Sequence, residues 1–211
     1  MKVLRKVSLC CLVLFGVSAA SAFAQDVPLP APNLDKPLMQ ALQNRQSTRQ
    51  YSSQEVSEQT LAELLWAAFG VNRPEAGGRT APSAMNARET VIYVLLAKGT
   101  YLYDAEHHRL KLVAAKDLRE FVTKQDFVKP APVHLVFVAD TGKLGRAGDK
   151  KALFAMAHTG FISQNVYLYC AAEGLGTIVR ASMDVAGLQK ALNLSENQLI
   201  TLTQTIGYPA K

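Results

Sequence analysis

Hydrophobic residues along this chain follow two kinds of spacing, one typical of helices and the other of buried strands. Helical spacing predicts a short helix over 38–44 and a longer amphipathic helix over 57–69, which Gly70 ends. Residues 150–173 are apolar nearly all round, which predicts a long central helix of about 36 Å at 1.5 Å per residue. A further short helix is predicted over 184–193.

Short apolar runs bounded by turn residues predict the strands, of which the most apolar are expected to be buried. The predicted strands are 90–97, a hairpin of 100–104 and 109–114, then 133–140, 177–182 and 198–209. Because isolated strands and a hairpin occur between helices, the fold class is α+β or α/β. The mixture favours α+β, with helices packed around one mixed sheet.

The first 24 residues have the pattern of a secretory signal peptide. Three basic residues precede an apolar run over 9–17, and residues 22–24 supply a small-x-small cleavage site. A membrane anchor is the alternative, but the run is short for a bilayer and polar sequence follows at once. We therefore expect a periplasmic or secreted protein with no stable membrane insertion after cleavage.

Charge and cysteine content narrow the function classes. The net charge of +6 falls to +3 when the three basic residues of the signal are removed, which gives no case for nucleic acid. Cys10 and Cys11 lie in the signal, so Cys170 remains alone; it is expected in the core and cannot form an intramolecular disulfide.

Residues 25–37 hold four prolines and predict an extended tether, followed by one domain over 38–211.

The segment NRQSTRQY, residues 44–51, is the first candidate for a binding site. If the chain is extended here, Arg45, Ser47 and Arg49 face the same side. Two guanidinium groups around a hydroxyl can hold a phosphate, because arginine offers bidentate donors. The alternative is a solvated pair of arginines at helical spacing, which this motif alone favours.

The segment GGRTAPSAMNARE, residues 77–89, is the second candidate. Its glycines permit backbone conformations closed to other residues, and Pro82 followed by Ser83 can begin a short helical turn with free N–H groups. Such a turn suits an anion or a carbonyl-rich ring, and Asn86 adds a donor and an acceptor. Small alanines would let a flat ligand approach the backbone. The alternative is an ordinary surface turn, which composition alone favours.

The segment GLGTIVRASMD, residues 174–184, follows the long helix and is the third candidate. Its glycines fit a helix C-cap. In the functional alternative the chain passes close to a ligand, with N–H groups near Ala181 and Ser182 as donors.

No other constellation of residues indicates a catalyst. His107 and His108 fall in a hairpin turn and are expected to be exposed, His134 lies in a strand, and His158 is expected to be buried and hydrogen-bonded. Zinc-ligand spacing, a G-x-S-x-G elbow, a P-loop and G-x-G-x-x-G are all absent from the sequence. We therefore name no catalytic side chain and no metal. If the protein is an enzyme, we expect a bound cofactor to carry out the reaction.

Taken in order, these stretches resemble the flavin-dependent nitroreductase family. The resembling segments are R-x-S-x-R at 45–49, then 64–74, 78–89, 159–176 and IGYP at 206–209. The RTAPSA form is most similar to the branch that includes the SagB-type dehydrogenases, which oxidise azoline rings in peptides. The chain departs from the family at AHTG, residues 157–160, where an acidic residue often precedes the glycine.

The resemblance implies an α+β fold that dimerises through long central helices, with FMN bound at the dimer interface. In this family R-x-S-x-R holds the FMN phosphate and ribityl end, P-S-x-x-N contacts the ribityl chain and the ring, and the segment after GLG lies near the isoalloxazine. The residues so implied are Arg45, Gln46, Ser47, Arg49, Pro82, Ser83, Ala84, Asn86, Ala181 and Ser182.

The function expected from this resemblance is that of an exported FMN-dependent oxidoreductase, with a small molecule or a peptide as substrate. The protein would position the ring and donate hydrogen bonds to its N1–C2=O and N5 edges. NAD(P)H is a cytoplasmic reductant, so the identity of the electron donor for an exported protein is left undetermined by the sequence. Three alternatives follow: a reductase with another donor, a SagB-like dehydrogenase, or a flavin-binding electron carrier without turnover of its own.

Overall fold

A seven-stranded sheet forms the centre of the protein in a computed structural model that describes residues 25–31 and 37–210. The strands are β1 (Val27–Pro28), β2 (Val71–Arg73), β3 (Gly78–Arg79), β4 (Thr90–Leu96), β5 (Gly99–Asp104), β6 (Arg109–Ala114), β7 (Val133–Asp140), β8 (Gly176–Arg180) and β9 (Gln198–Gly207). The helices are α1 (Leu38–Asn44), α2 (Glu58–Phe69), α3 (Lys151–Ala172) and α4 (Val185–Ala191). The spatial order is β1-β6-β5-β4-β7-β9-β8, and β2 pairs with β3 apart from this sheet.

The α+β class and the single main sheet are confirmed, but the expectation of a mixed sheet is wrong. Every strand pairing in the described residues is antiparallel. β4, β5 and β6 are successive neighbours joined by short turns, which produce antiparallel pairs. β9 lies between β7 and β8 and is antiparallel to both, so these two strands run in the same direction without pairing.

The predicted helices are present with small differences at their ends. α2 begins one residue later than predicted, because the side chain of Ser57 caps it by accepting from the N–H of Thr60. α3 has 22 residues and is about 33 Å long. In the described ranges, no helix combines the length and hydropathy needed to cross a bilayer.

Apolar side chains cover both faces of the sheet. α2 and α3 pack on one face against Leu135 and Phe137 of β7, whereas Val136 and Val138 of the same strand face α4 on the other side. This two-sided burial explains why the central strands are apolar throughout. Cys170 is buried in the α2–α3 layer as predicted.

The described part of the predicted tether is extended, but it lies against the sheet as an edge strand. Val27 pairs with Leu110, and the N–H of Leu29 donates to the carbonyl of His108 at 3.0 Å. His108 is therefore half-buried, and its ring nitrogens bond to the hydroxyl of Tyr103 and the carbonyl of Pro30. The expected exposure of this histidine is wrong, because the docked segment covers it. The predicted signal peptide, 1–24, lies outside the described residues.

Candidate functional site

Tyr167 of α3 joins the R-x-S-x-R segment to β8. Its hydroxyl lies 2.9 Å from Oγ of Ser47 and accepts the N–H of Val179 at 3.1 Å. The guanidinium of Arg45 lies 5.4 Å from the centre of the Tyr167 ring, which is within cation–π range. α1 ends at Asn44 and the chain then extends, so the helical alternative for the two arginines is wrong.

The same segment is fixed against β8 by its backbone. The N–H of Thr48 donates to the carbonyl of Thr177 at 3.0 Å, and the hydroxyl of Tyr51 donates to the carbonyl of Thr48 at 2.8 Å. A Cβ on Gly176 would lie only 2.7 Å from the Thr48 side chain, so this approach requires glycine. A cavity of about 200 Å³, lined in part by Gln46, adjoins the segment.

Within residues 25–31 and 37–210, no acidic side chain pairs with the two arginines of this segment. Arg45 is half-buried and Arg49 is exposed. The guanidinium of Arg45 and the hydroxyl of Ser47 both contact Tyr167, so this group can receive an anion such as a phosphate.

The second candidate segment contains a short 3₁₀ turn over Ala84–Asn86 and has a strained backbone. The φ angles of Met85, Asn86 and Arg88 are 57°, 50° and 47°, in the left-handed region that non-glycine residues seldom adopt. Each such residue costs about 1–3 kcal/mol and persists only where its surroundings impose it. Pro82 precedes this turn and is exposed.

Two contacts hold this turn, and one of them corrects the prediction of free N–H groups. The N–H of Ala84 is occupied, because it donates to Nε2 of His158 at 2.9 Å. The N–H of Arg88 donates to Oγ of Ser83 at 3.0 Å. The turn is therefore anchored to α3 rather than open along its whole length.

His158 is buried and hydrogen-bonded as predicted, and its second partner is the buried carboxylate of Glu89. The distance from Nδ1 to Oε1 is 2.6 Å, and Glu89 has no exposed surface. Since Nε2 must accept from Ala84, we assign the ring proton to Nδ1, which donates to Glu89. Oε2 of Glu89 has no hydrogen-bond partner in the described residues.

The third candidate segment contains β8, and Ala181 and Ser182, which follow this strand, are exposed. Arg180, which is buried, donates to the carbonyls of Ser182 at 3.1 Å and Val122 at 2.9 Å. Burial lowers the pKa of Arg180. Its guanidinium thus positions the exposed backbone, a role that the sequence did not reveal.

Two glycines of this segment have structural roles. Gly174 has a φ of 69° directly after α3 and so ends the helix in the left-handed conformation. Gly176 allows the close approach of Thr48 described above. The C-cap reading is confirmed, and the same glycines bring the first and third segments together.

The first two segments contact the same helix at different points. Tyr167 and His158 are nine residues apart (167 − 158), about 13.5 Å along α3. In the described part of the chain, no hydrogen bond joins Arg45–Arg49 to the Ser83–Asn86 turn.

Among the residues that the structure describes, no group of three or more His, Cys, Asp or Glu side chains could hold a metal ion.

The sheet covered by helices on both faces defines an α+β protein. Comparison with known protein families identifies the family of this chain. The model of the nitroreductase family matches residues 42–208, so the chain belongs to the nitroreductase family, whose members are oxidoreductases.

Known structures and sequences agree with this assignment. A crystal structure from Ralstonia eutropha JMP134, provisionally described as a nitroreductase, is 41% identical, with a TM-score of 0.85, over 92% of this chain and 93% of that one. A Methanocaldococcus jannaschii protein with the same provisional description is 29% identical over 78% of this chain and 88% of its own length. A chain of the E. coli microcin synthetase complex shares the fold at 18% identity, with a TM-score of 0.69, over 98% of this chain and 85% of that one.

Proposed function

We propose that this protein binds FMN and acts as an exported FMN-dependent oxidoreductase. The observation that carries the proposal is the meeting of Arg45, Ser47 and Tyr167 beside β8, with both arginines of the segment free of carboxylate partners in the described residues. A phosphate monoester needs such donors. The residues present therefore fit the cofactor typical of the family.

Each segment has a distinct part in this proposal. Arg45, Gln46, Ser47 and Arg49 would hold the phosphate end. Pro82, Ser83, Ala84 and Asn86 would contact the ribityl chain and the ring, and Ala181 and Ser182 would donate at the ring edge. FMN would supply the electron transfer when bound. The protein would bind the flavin, orient its ring and exclude water from it.

A second subunit would complete the site. α3 exposes large apolar side chains along one side, with Leu153 at 66%, Met156 at 43% and Phe161 at 48% exposure. Exposed apolar clusters of this kind mark interaction surfaces. We propose a homodimer through this face, which would bring the partner against the Ser83–Asn86 turn, where Met85 is also exposed.

Substrate, electron donor and location remain part of the proposal. The signal-peptide pattern over 1–24 supports export to the periplasm or beyond, where a donor other than NAD(P)H would be needed. The simplest reaction is electron transfer from the flavin to a small acceptor that stacks on its exposed face. The SagB-like dehydrogenase would instead pass electrons from substrate to flavin.

The visible spectrum of the purified protein, lacking residues 1–24, tests the cofactor. We expect yellow protein, or quenching of flavin fluorescence when micromolar FMN is added. Colourless protein without quenching would refute FMN binding. Anaerobic titration with candidate donors and reduced substrates then separates the alternatives: a reductase and a dehydrogenase both turn over, in opposite directions, whereas an electron carrier exchanges electrons without a product.

A further inference from the structure

A separate cavity of about 180 Å³ lies where β5 diverges from β4. The pairing of these strands runs from Leu96 with Gly99 to Tyr93 with Leu102, and the start of β4 lies beyond it. The cavity opens beside this start and is lined by Ile92 and by several charged side chains. Its volume is below the roughly 300 Å³ of pockets for whole ring systems, so it suits a small group.

Basic side chains predominate around this cavity. Arg79, Arg88, Lys111 and Lys143 line it together with Asp104 and Glu106, which gives a net charge of +2 (4 − 2). Two of the cations are already paired: Arg79 lies 2.7 Å from Glu106, and Lys111 lies 2.8 Å from Asp104. The excess positive charge is therefore carried by the other two cations, Arg88 and Lys143.

Arg88 and Lys143 have no carboxylate partner in the described residues. The guanidinium of Arg88 lies next to Gly77. A Cβ on Gly77 would lie 2.6 Å from Nη1 of Arg88.

Arg79 has one donor without an acceptor, although Nη2 donates to Glu106 and Nη1 to the carbonyl of Phe69. Its side chain is only 11% exposed and packs on the ring of Phe69 at 5.4 Å. Its Nε is buried without a hydrogen-bond partner in the described residues. Buried donors are normally satisfied, so this unsatisfied nitrogen, in a side chain that lines the cavity, leaves a place for an acceptor.

We propose that this cavity binds an anionic group, a carboxylate or a phosphate, of a small ligand. Arg88 and Lys143 would supply the attraction and Arg79 a hydrogen bond. Arg88 also donates its N–H to Ser83, so the bound group would lie next to the Ser83–Asn86 turn. Where the proposed flavin function holds as well, the anionic group belongs to the substrate, and that extension rests on the proposed function.

Calorimetric titration of inorganic phosphate and of succinate, at constant ionic strength in sodium chloride, tests the site. The protein is first loaded with FMN, which occupies the Arg45 segment and leaves the cavity open. If no FMN binds, a variant with Arg45→Met and Arg49→Met replaces the loaded protein, so the two proposals fail separately. We expect one equivalent of phosphate or succinate to bind, and the tighter probe indicates the natural group.

Substitutions connect the binding to the cavity. Arg88→Met and Lys143→Met should each weaken the tighter probe about tenfold, because each removes a charge-assisted interaction. Arg146→Met is the matched control, since Arg146 is exposed three residues after Lys143 and does not line the cavity. Equal effects of Lys143→Met and Arg146→Met would refute the site, as would probes that bind no more tightly than chloride.

Glu106→Gln provides a test in the opposite direction. Removing this carboxylate frees Arg79 and raises the net charge of the cavity, so the tighter probe should bind several-fold more strongly. A misfolded variant cannot bind more tightly, which separates this result from a loss of structure. Unchanged or weaker binding in a folded Glu106→Gln protein would contradict the proposal.

Discussion

The carboxylate of Glu89 and the imidazole of His158 form a buried pair, with Oε1 2.6 Å from Nδ1. The other ring nitrogen accepts the N–H of Ala84 at 2.9 Å. One side chain of α3 thus fixes both the strained turn and the residue that follows it into β4. This relationship makes His158 a positioning residue for the candidate site.

Replacing His158 with Ala should destabilise the protein and loosen the turn. The N–H of Ala84 and the carboxylate of Glu89 would lose their partner, at about 1–3 kcal/mol for each unsatisfied group. Urea unfolding measures the loss, and His107→Ala is the control because that side chain is 67% exposed. Equal losses for the two variants would contradict the role assigned to His158.

The two arginines of the first segment should recognise the phosphate and not the ring. Arg45→Ala or Arg49→Ala removes a charge-assisted hydrogen bond of about 1.5–3 kcal/mol, so FMN should bind roughly tenfold to a hundredfold more weakly. Riboflavin has no phosphate and should bind the variants and the parent alike. Flavin fluorescence titration measures both ligands, with Arg146→Ala as a charge-matched control. Equal losses for FMN and riboflavin would show that the arginines act structurally.

Much of this architecture could be predicted from the sequence, because apolar spacing reflects burial locally. α2, α3, β4 and β7 were predicted for that reason. The hairpin of β2 and β3 was missed, since its strands have three and two residues and no apolar run. The edge position of β1 was missed too, because a proline-rich segment resembles a linker until its partner strand is known.

The candidate site shows the same limit at the level of contacts. The R-x-S-x-R spacing predicted that Arg45 and Ser47 share one side, and both do meet Tyr167. Tyr167 itself lies 120 residues from Ser47, and Glu89 lies 69 residues from His158. No local pattern encodes such pairs, which arise only when α3 packs on the sheet. The buried Arg180 was hidden for the same reason.

His134 should make the protein less stable in acid. Burial, then the nearby charges of Arg180 and Arg119, lower the pKa of His134 to about 3, while Asp117 acts in the opposite direction. The unfolded chain takes up this proton below its ordinary pKa of about 6.5, whereas the folded protein does not until about pH 3. The unfolded state therefore binds more protons in this window, and the free energy of unfolding falls as the pH falls.

Comparison with His134→Gln isolates this effect. Between pH 7.5 and pH 5 the parent should lose about 2 kcal/mol relative to the variant, at roughly 1.4 kcal/mol per pH unit below pH 6.5. Urea unfolding at the two pH values measures the difference, and titrating groups common to both proteins cancel. A pH-independent difference between the parent and His134→Gln would mean that His134 titrates normally in the folded state.

The apolar face of α3 should hold a second copy of the chain, and flavin binding should depend on it. Leu153 and Phe161 are large, apolar and more than 45% exposed on a helix whose opposite face is already buried in the core. A single domain can leave scattered apolar residues exposed, so the face alone does not require a partner. Its position beside the Ser83–Asn86 turn would place a second subunit at the proposed site.

Light scattering of the protein lacking residues 1–24 should give the mass of a dimer. Phe161→Glu places a charge in the proposed interface and should shift the protein towards a monomer, with weaker FMN binding, because burying an unpaired carboxylate is costly. Val113→Glu is the control, since Val113 is a 39% exposed apolar residue on β6, away from α3. A parent protein that is monomeric and still binds FMN would overturn both the interface and the shared site. A dimer that survives Phe161→Glu with full FMN affinity would move the interface to another face.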